Sequence, residues 1–444
     1  MKGFVPIETN DRMINRIIRV ICWGLLIFLA GCSSFESFDP DWINQILYTP
    51  TVEPTNTPAP TTPTVDATLS ATGQPEPAVA EPRILRVWLP PQFNPNTNNE
   101  AAGLLKERLN DFEAAHPGLQ IDIRIKSESG EADLLNSLSI TSMAAPDALP
   151  DLIALPRTDL EAATQKGLLE PLDDISRTLQ NSEWYPYANE MSEVNGRSYG
   201  IPFAGDALVI VYRPELVWIK SWDDILLSDS QLLFSGADPQ AEVALSLYAS
   251  LGGELIDAQG DPTLDQELLT RVLELVARGR GVSLFPEAVE NVSSDEQVLQ
   301  EYRARRAEMA IYHFSKYRDS QDGLFQPLMS LGDEAYFTFA TGWMWSLPAQ
   351  SAENRQLSIE LAEYLTEDDF LAPWIHESGY LPTRGFAGEE AMDETVTALI
   401  EASRPAPSAD TLLILGPPMR DALIRVLNGE QPDAVARSII EVLQ

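Results

Sequence analysis

Cysteine is almost missing from this chain: two residues in 444, Cys22 and Cys32. Both lie near the N-terminus, so the rest of the protein has no disulfide framework and no thiolate metal site. Histidine is nearly as scarce. His116, His313 and His376 are scattered, without the paired spacing that zinc ligands show. No metal and no cofactor is expected. Positive charge is short as well, with 30 Lys and Arg against 67 Asp and Glu and a formal net charge of -37. A body this acidic repels phosphate backbones and anionic lipid headgroups, which excludes nucleic-acid binding. The apolar run at 20–30 falls well short of the roughly 20 residues that a spanning helix needs. No internal repeat is visible.

What the N-terminus does contain is ordered. Arg16 and Arg19 precede the run at 20–30, which closes in Leu29-Ala30-Gly31-Cys32. A charged region, a short apolar stretch and a small-residue cleavage site read as a secretory signal over 1–31. Its last four residues resemble a bacterial lipobox, in which the cysteine becomes the lipidated first residue of the mature protein. Cys32 is therefore the expected lipidation site, anchoring the chain on the extracytoplasmic face of the cell membrane. Glu8 and Asp11 are unusual so early in a signal, which leaves Met13 as an alternative start. The stretch 32–82 is rich in Pro and Thr, as in Thr57-Pro58-Ala59-Pro60 and Thr61-Thr62-Pro63-Thr64. Such a composition buries too little to fold, stays extended, and serves as a tether.

From residue 84 the pattern becomes α/β. Leu85-Arg86-Val87-Trp88-Leu89 is a short buried strand stopped by Pro90-Pro91. Leu105, Leu109 and Phe112 fall on one face of a helix that His116-Pro117-Gly118 ends. Ile121, Ile123 and Ile125 alternate with polar residues in a second strand, Leu134, Leu135 and Leu138 mark another helix, and Asp151-Leu152-Ile153-Ala154-Leu155 a third strand. Strands separated by helices imply a mostly parallel sheet, with ligands held by loops beyond the strands' carboxyl ends. A strong strand is expected at 207–212 and a final helical segment at 418–427. About 360 residues exceed one ordinary core, so two α/β lobes are expected.

Landmarks then accumulate in order: Asp111-Phe112-Glu113, Pro150-Asp151-Leu152-Ile153, Gly196 to Pro202, Tyr212-Arg213, Trp222-Asp223-Asp224, Glu308-Met309-Ala310, Gly379-Tyr380-Leu381-Pro382 and Asn428-Gly429-Glu430. In number and order they resemble the bacterial extracellular solute-binding proteins of family 1, the group that includes maltose- and oligosaccharide-binding proteins. The resemblance implies an α/β, two-lobed periplasmic-binding-protein-like (type II) fold with a hinge and an interlobe ligand cleft. It implies crossings near 203–206, 326–329 and 381–384, hence lobe I over 83–204 and 329–382 and lobe II over 205–328 and 383–444. The implied role is the solute-binding component of an ABC importer. Such a protein is a monomer and not an enzyme. It takes a small solute, a carbohydrate above all, to ABC permease subunits. A ligand-presenting sensory module, or a degenerate surface-interaction module, is the alternative.

Cleft residues carry over only where the sequence matches. Asp206 stands where maltose-binding relatives hold sugar hydroxyls with a carboxylate, a group that accepts several charge-assisted hydrogen bonds. Arg157, Thr158 and Asp159 follow the third strand, where relatives place polar sugar ligands; helix capping is the competing use. Trp343 follows Gly342, where relatives often present an aromatic face to a sugar ring, with core packing as its rival. Gln92 and Phe93 follow the first strand at a cleft-facing position. Tyr312-His313-Phe314-Ser315 and Gly416-Pro417-Pro418 stand where relatives carry stacking tryptophans. A ligand smaller than an oligosaccharide, or one that is not a sugar, stays open.

Catalytic readings fare worse. Gly196-Arg197-Ser198-Tyr199-Gly200 is a literal G-x-S-x-G, but a nucleophile elbow needs a strand before it and a helix after it. Here polar residues lead in and Pro202 with an apolar strand follows, so a hairpin turn is expected. Asp257, Asp261 and Asp265 lack the spacing of an EF-hand loop. With 67 acidic residues, no carboxylate pair can be singled out as a glycosidase dyad.

Overall fold

Strand β1 (Arg83–Leu89) pairs in parallel with β2 (Leu119–Ile125) along its whole length, and with β3 (Leu152–Pro156) through Val87 and Trp88. The computed structural model describes residues 82–443 except 129, 182–183, 321–322, 350–353 and 387–391. The signal at 1–31, Cys32 and the tether up to residue 81 lie outside the described residues. Between β1 and β2 runs the helix Glu100–Ala115, started by the Asn99 side chain accepting from the Ala102 amide and buried through Leu105, Leu109 and Phe112. Between β2 and β3 runs Leu134–Ala144, capped in the same way by Asp133. These are the β-α-β units that the periodicity predicts, and they leave the carboxyl ends of β1, β2 and β3 side by side.

A hairpin follows, β4 (Glu193–Val194) and β5 (Arg197–Ser198). Asn195 and Gly196 turn it with φ of 53° and 72°, the left-handed pair that a two-residue hairpin turn requires. The chain then enters β6 (Ile201–Tyr212), whose twelve residues are all buried. It begins well before the strand expected at 207–212. Gly and Pro disguise its start, and Pro202 is tolerated because the ladder slips by a bulge opposite Met344.

β6 joins two halves of one sheet. The remaining strands are β7 (Leu232–Leu233), β8 (Met309–His313), β9 (Leu324–Pro327), β10 (Thr338–Ser346) and β11 (Ser403–Pro405). The order is β2-β1-β3-β10-β6-β8-β7, with β9 on β6 and β11 on β10. Up to Ala207, β6 pairs antiparallel with β10; from Leu208 onward it pairs with β8, and from Val209 with β9. At the changeover Gly205 and Leu381 exchange backbone hydrogen bonds of 2.8 and 2.7 Å.

The helix expected at 418–427 in fact runs over Ala409–Leu427, with Pro417 and Pro418 inside it. Each proline removes the donor for a carbonyl four residues earlier. Those carbonyls belong to Leu413 and Ile414, two exposed residues at 74% and 46%, where a missing intrahelical partner costs least.

Candidate functional site

The loops beyond β1, β2 and β3 converge on a polar surface. Gln92, exposed after β1, donates to the Glu128 carboxylate after β2. Arg157, Thr158 and Asp159 form the first turn of the helix Arg157–Gln165 rather than a loop, and no side chain caps it. Asp159 is raised to about 6, chiefly by burial and also by Asp133 and Glu128, with Lys166 opposing. The Arg157 guanidinium is spent on structure: Nη1 donates to the carbonyls of Met191 and Glu193 at 2.6 and 2.7 Å. Burial lowers its pKa. Thr158 is half-buried beside them.

Phe93 is buried at the centre of an aromatic cluster, 5.3 Å from Phe203, 5.2 Å from Trp343 and 5.5 Å from both Trp374 and Tyr380 between ring centroids. Trp343 lies in β10 opposite Pro156 and Ala204, packed edge-on against Phe93. Both aromatics therefore serve the core, with Phe93 also reaching a cavity of about 260 Å³. That cavity is lined by Gln92, Phe93, Asn99, Trp374 and Tyr380 together with Ser315 and Lys316. The rings of Trp374 and Tyr380 are parallel to within 1°. A larger groove of about 450 Å³, around Trp222, Arg271 and Met329, shares no residue with the sequence-predicted set.

Ser315 and Lys316 belong to the helix Phe314–Ser320 that follows β8, and behind them lie β6 and β8. Asp206 is only 8% exposed. Its Oδ1 accepts from the amides of Ala207 and Ser315, both at 3.0 Å. Burial raises its pKa, while His313 and the hydrogen bonds from Ser315 hold it down. His313, the last residue of β8, places Nδ1 2.7 Å from Asp295 Oδ2 and Nε2 3.5 Å from Glu242 Oε2. The three side chains are 20%, 16% and 23% exposed, respectively. Sequence reasoning missed Glu242 and Asp295. Each opens a helix, Glu242–Ser250 and Asp295–Arg303, where an acidic residue reads as an ordinary complement to the helix dipole.

Glu242 carries a pH signature. Burial pushes it up to about 7; His313 opposes this, and Asp238, Asp295 and Asp206 add to it. The folded protein thus binds this proton more tightly than the unfolded chain, so stability rises as pH falls through about 7 and levels off below the ordinary carboxylate value. Glu242→Gln should raise stability by about 1–2 kcal/mol near pH 8 and change it little near pH 5. Denaturant unfolding at the two pH values checks this.

The serine of the G-x-S-x-G string is built differently from an elbow. Ser198 lies in β5, its amide donates to Asp173 Oδ1 at 2.8 Å, and the chain continues into a strand. His313 is committed to Asp295, and His116 to the Phe112 carbonyl at 2.8 Å.

A profile of the bacterial extracellular solute-binding proteins matches residues 107–398. The chain belongs to that family. The resemblance read from the order of landmarks is thereby borne out. Solved structures agree on the fold of the binding protein. A cyclo/maltodextrin-binding protein complexed with maltotetraose is 19% identical, with a TM-score of 0.64 over 82% of this chain and 97% of that one. Maltose-bound MalE3 of T. maritima is 18% identical, with a TM-score of 0.64 over 81% and 98%. A solute-binding protein of an ABC transporter from Thermotoga lettingae, bound with alpha-D-tagatose, is 18% identical, with a TM-score of 0.60 over 82% and 100%. A comparison with curated protein sequences finds no match. At such identities the likeness establishes the fold, the two-lobed periplasmic-binding architecture of type II. Among the described residues, no helix of the binding protein is long and apolar enough to cross a membrane.

Proposed function

We propose that the binding protein captures a small carbohydrate between its two lobes and delivers it to the permease of an ABC importer, without catalysing any reaction on it. The lobes are 83–204 with 329–382, and 205–328 with 383–444. The chain passes from one to the other at 203–206, 326–329 and 381–384. The observation that supports this reading is the cavity of about 260 Å³ lined by Gln92, Asn99 and Tyr380, which this division assigns to the first lobe, and by Ser315 and Lys316, which it assigns to the second. Its size suits one or two sugar rings rather than a long oligosaccharide, in keeping with the stacking tryptophans that the sequence lacks. Gln92 lines that cavity and Tyr380 gives it an aromatic edge; in this reading Asp206, which holds the Ser315 amide behind the wall, and Asp159 are the further hydroxyl partners. Phe93 and Trp343 shape the wall from behind. Arg157 and Thr158 hold the helix that presents Asp159. Closing of the lobes on the sugar selects the form that the permease reads.

A thermal-shift screen against mono- and disaccharides, polyols, amino acids and polyamines tests the proposal. A ligand of the folded state stabilises by about 2.7 kcal/mol at one hundred times its dissociation constant. A shift with one sugar class is expected; a shift confined to another solute class would keep transport and discard the carbohydrate, and silence throughout would favour a surface-interaction module. Anchoring is tested separately. Mass spectrometry of the membrane-extracted protein should find its N-terminal peptide beginning at an acylated Cys32, and an unmodified Cys32 would refute the anchor.

A further inference from the structure

His313 has no part in the sequence-predicted site, yet it sits at the meeting point of four elements. Across the sheet it faces Leu208, two residues along β6 from Asp206, so the two side chains rise from one face of the sheet. Asp295 Oδ2 accepts both from the His313 amide, at 3.0 Å, and from Nδ1, at 2.7 Å. That double grip fixes the ring, and Nε2 then points to Glu242. The charged groups around the imidazole are Asp206 from β6, Glu242 from one helix and Asp295 from another; behind them stand Asp238, beside Glu242, and Lys316, beside Asp295 and paired with Glu296 at 2.8 Å. Burial opposes the charge on the ring, but the double hold of Asp295, with the Glu242 and Asp206 carboxyls nearby, keeps it protonated. A carboxylate buried as deeply as Asp206 would otherwise take up a proton and stop accepting hydrogen bonds.

We propose that His313 is a positioning residue for the cleft: gripped twice by Asp295, with Nε2 toward Glu242, it keeps the Asp206 carboxylate charged and seated on the Ser315 amide, ready for a ligand hydroxyl. The role in ligand binding rests on the function proposed above. The effect on Asp206 does not, so the two can fail separately.

The experiment is a carboxyl-carbon NMR titration of Asp206 in the intact, sugar-free protein, comparing wild type with His313→Gln and His313→Lys. In His313→Gln the Asp206 midpoint should move up by about one pH unit, a tenfold gain in proton affinity, whereas the charge-preserving His313→Lys should return it toward wild type. A His313 that merely packs would leave the midpoint in place, and an unmoved midpoint in folded His313→Gln overturns the proposal. Should that variant not fold, Asp295→Asn serves instead. It loosens the hold on the imidazolium, so His313 should deprotonate at lower pH and Asp206 follow; an Asp206 titration identical to wild type again overturns it. Where a sugar binds, its dissociation constant should rise in His313→Gln as pH falls toward the Asp206 midpoint, by at most about tenfold, with the loss shrinking at higher pH. A shifted Asp206 midpoint without any sugar binding supports the proposal while discarding the carbohydrate.

Discussion

Asp206→Ala is expected to weaken sugar binding by about a hundredfold or more. The carboxylate is 8% exposed and sits where β6 changes partners, next to the changeover bond between Gly205 and Leu381. Hydrogen bonds to a charged acceptor contribute about 1.5–3 kcal/mol each, and every 1.4 kcal/mol is about tenfold in affinity. Two sugar hydroxyls on one carboxylate therefore account for the loss. Part of the damage would be structural, since alanine leaves the Ala207 and Ser315 amides without the oxygen they share. Asp206→Asn separates the two effects. It keeps an acceptor for both amides and gives up only the charge, so it should fold like wild type and bind about tenfold more weakly. Calorimetric titration of both variants decides. Wild-type affinity in Asp206→Ala would show that this carboxylate does not touch the ligand.

Gly205→Ala is expected to cost about 3 kcal/mol or more of folding stability, although it adds one methyl group. The backbone here is extended, so conformational freedom is not what glycine supplies; it supplies space. A methyl at this position would overlap the Tyr187 hydroxyl and come within 3.0 Å of the Leu381 carbonyl oxygen. Tyr187 is buried and donates to the Pro382 carbonyl. Either the ring moves and orphans that carbonyl, or the 381–382 segment parts from β6. Overpacking costs about 1–3 kcal/mol, and a buried acceptor left unpaired adds about 1–3 more. Denaturant unfolding measures the loss. Adding Tyr187→Phe removes the nearest colliding atom, so the double variant should recover part of it, a coupling that independent sites would not show.

Residue pattern alone located β1, β2, β3 and the helices between them, because each has one clear buried face. It also read the Gly196 to Gly200 string as a hairpin turn; the hairpin is there, but its turn is Asn195-Gly196, with Arg197 and Ser198 already in β5. It cut β6 short, because Ile201-Pro202-Phe203-Ala204-Gly205 carries a proline and a glycine whose tolerance depends on a bulge and on the neighbouring Tyr187, both tertiary facts. The strands β7, β9 and β11 are too short to carry a period. Asp206 was singled out through its place after Tyr199-Gly200-Ile201-Pro202, and the structure buries it beside His313 and Ser315. Phe93 and Trp343 were legible as aromatics near the cleft, but whether a ring faces ligand or core depends on Phe203 and Trp374, which arrive from elsewhere in the chain. Glu242 and Asp295 could not be read at all. Each looks like a helix-opening acid until the fold brings His313 between them.

Lobe closure on a sugar can be measured directly by small-angle X-ray scattering of the protein, alone and saturated with the sugar that gives the largest thermal shift. The radius of gyration should contract on sugar addition, and Asp206→Ala should not contract at the same concentration. An unchanged radius, with every sugar that can be tried, would contradict capture of a carbohydrate between the lobes.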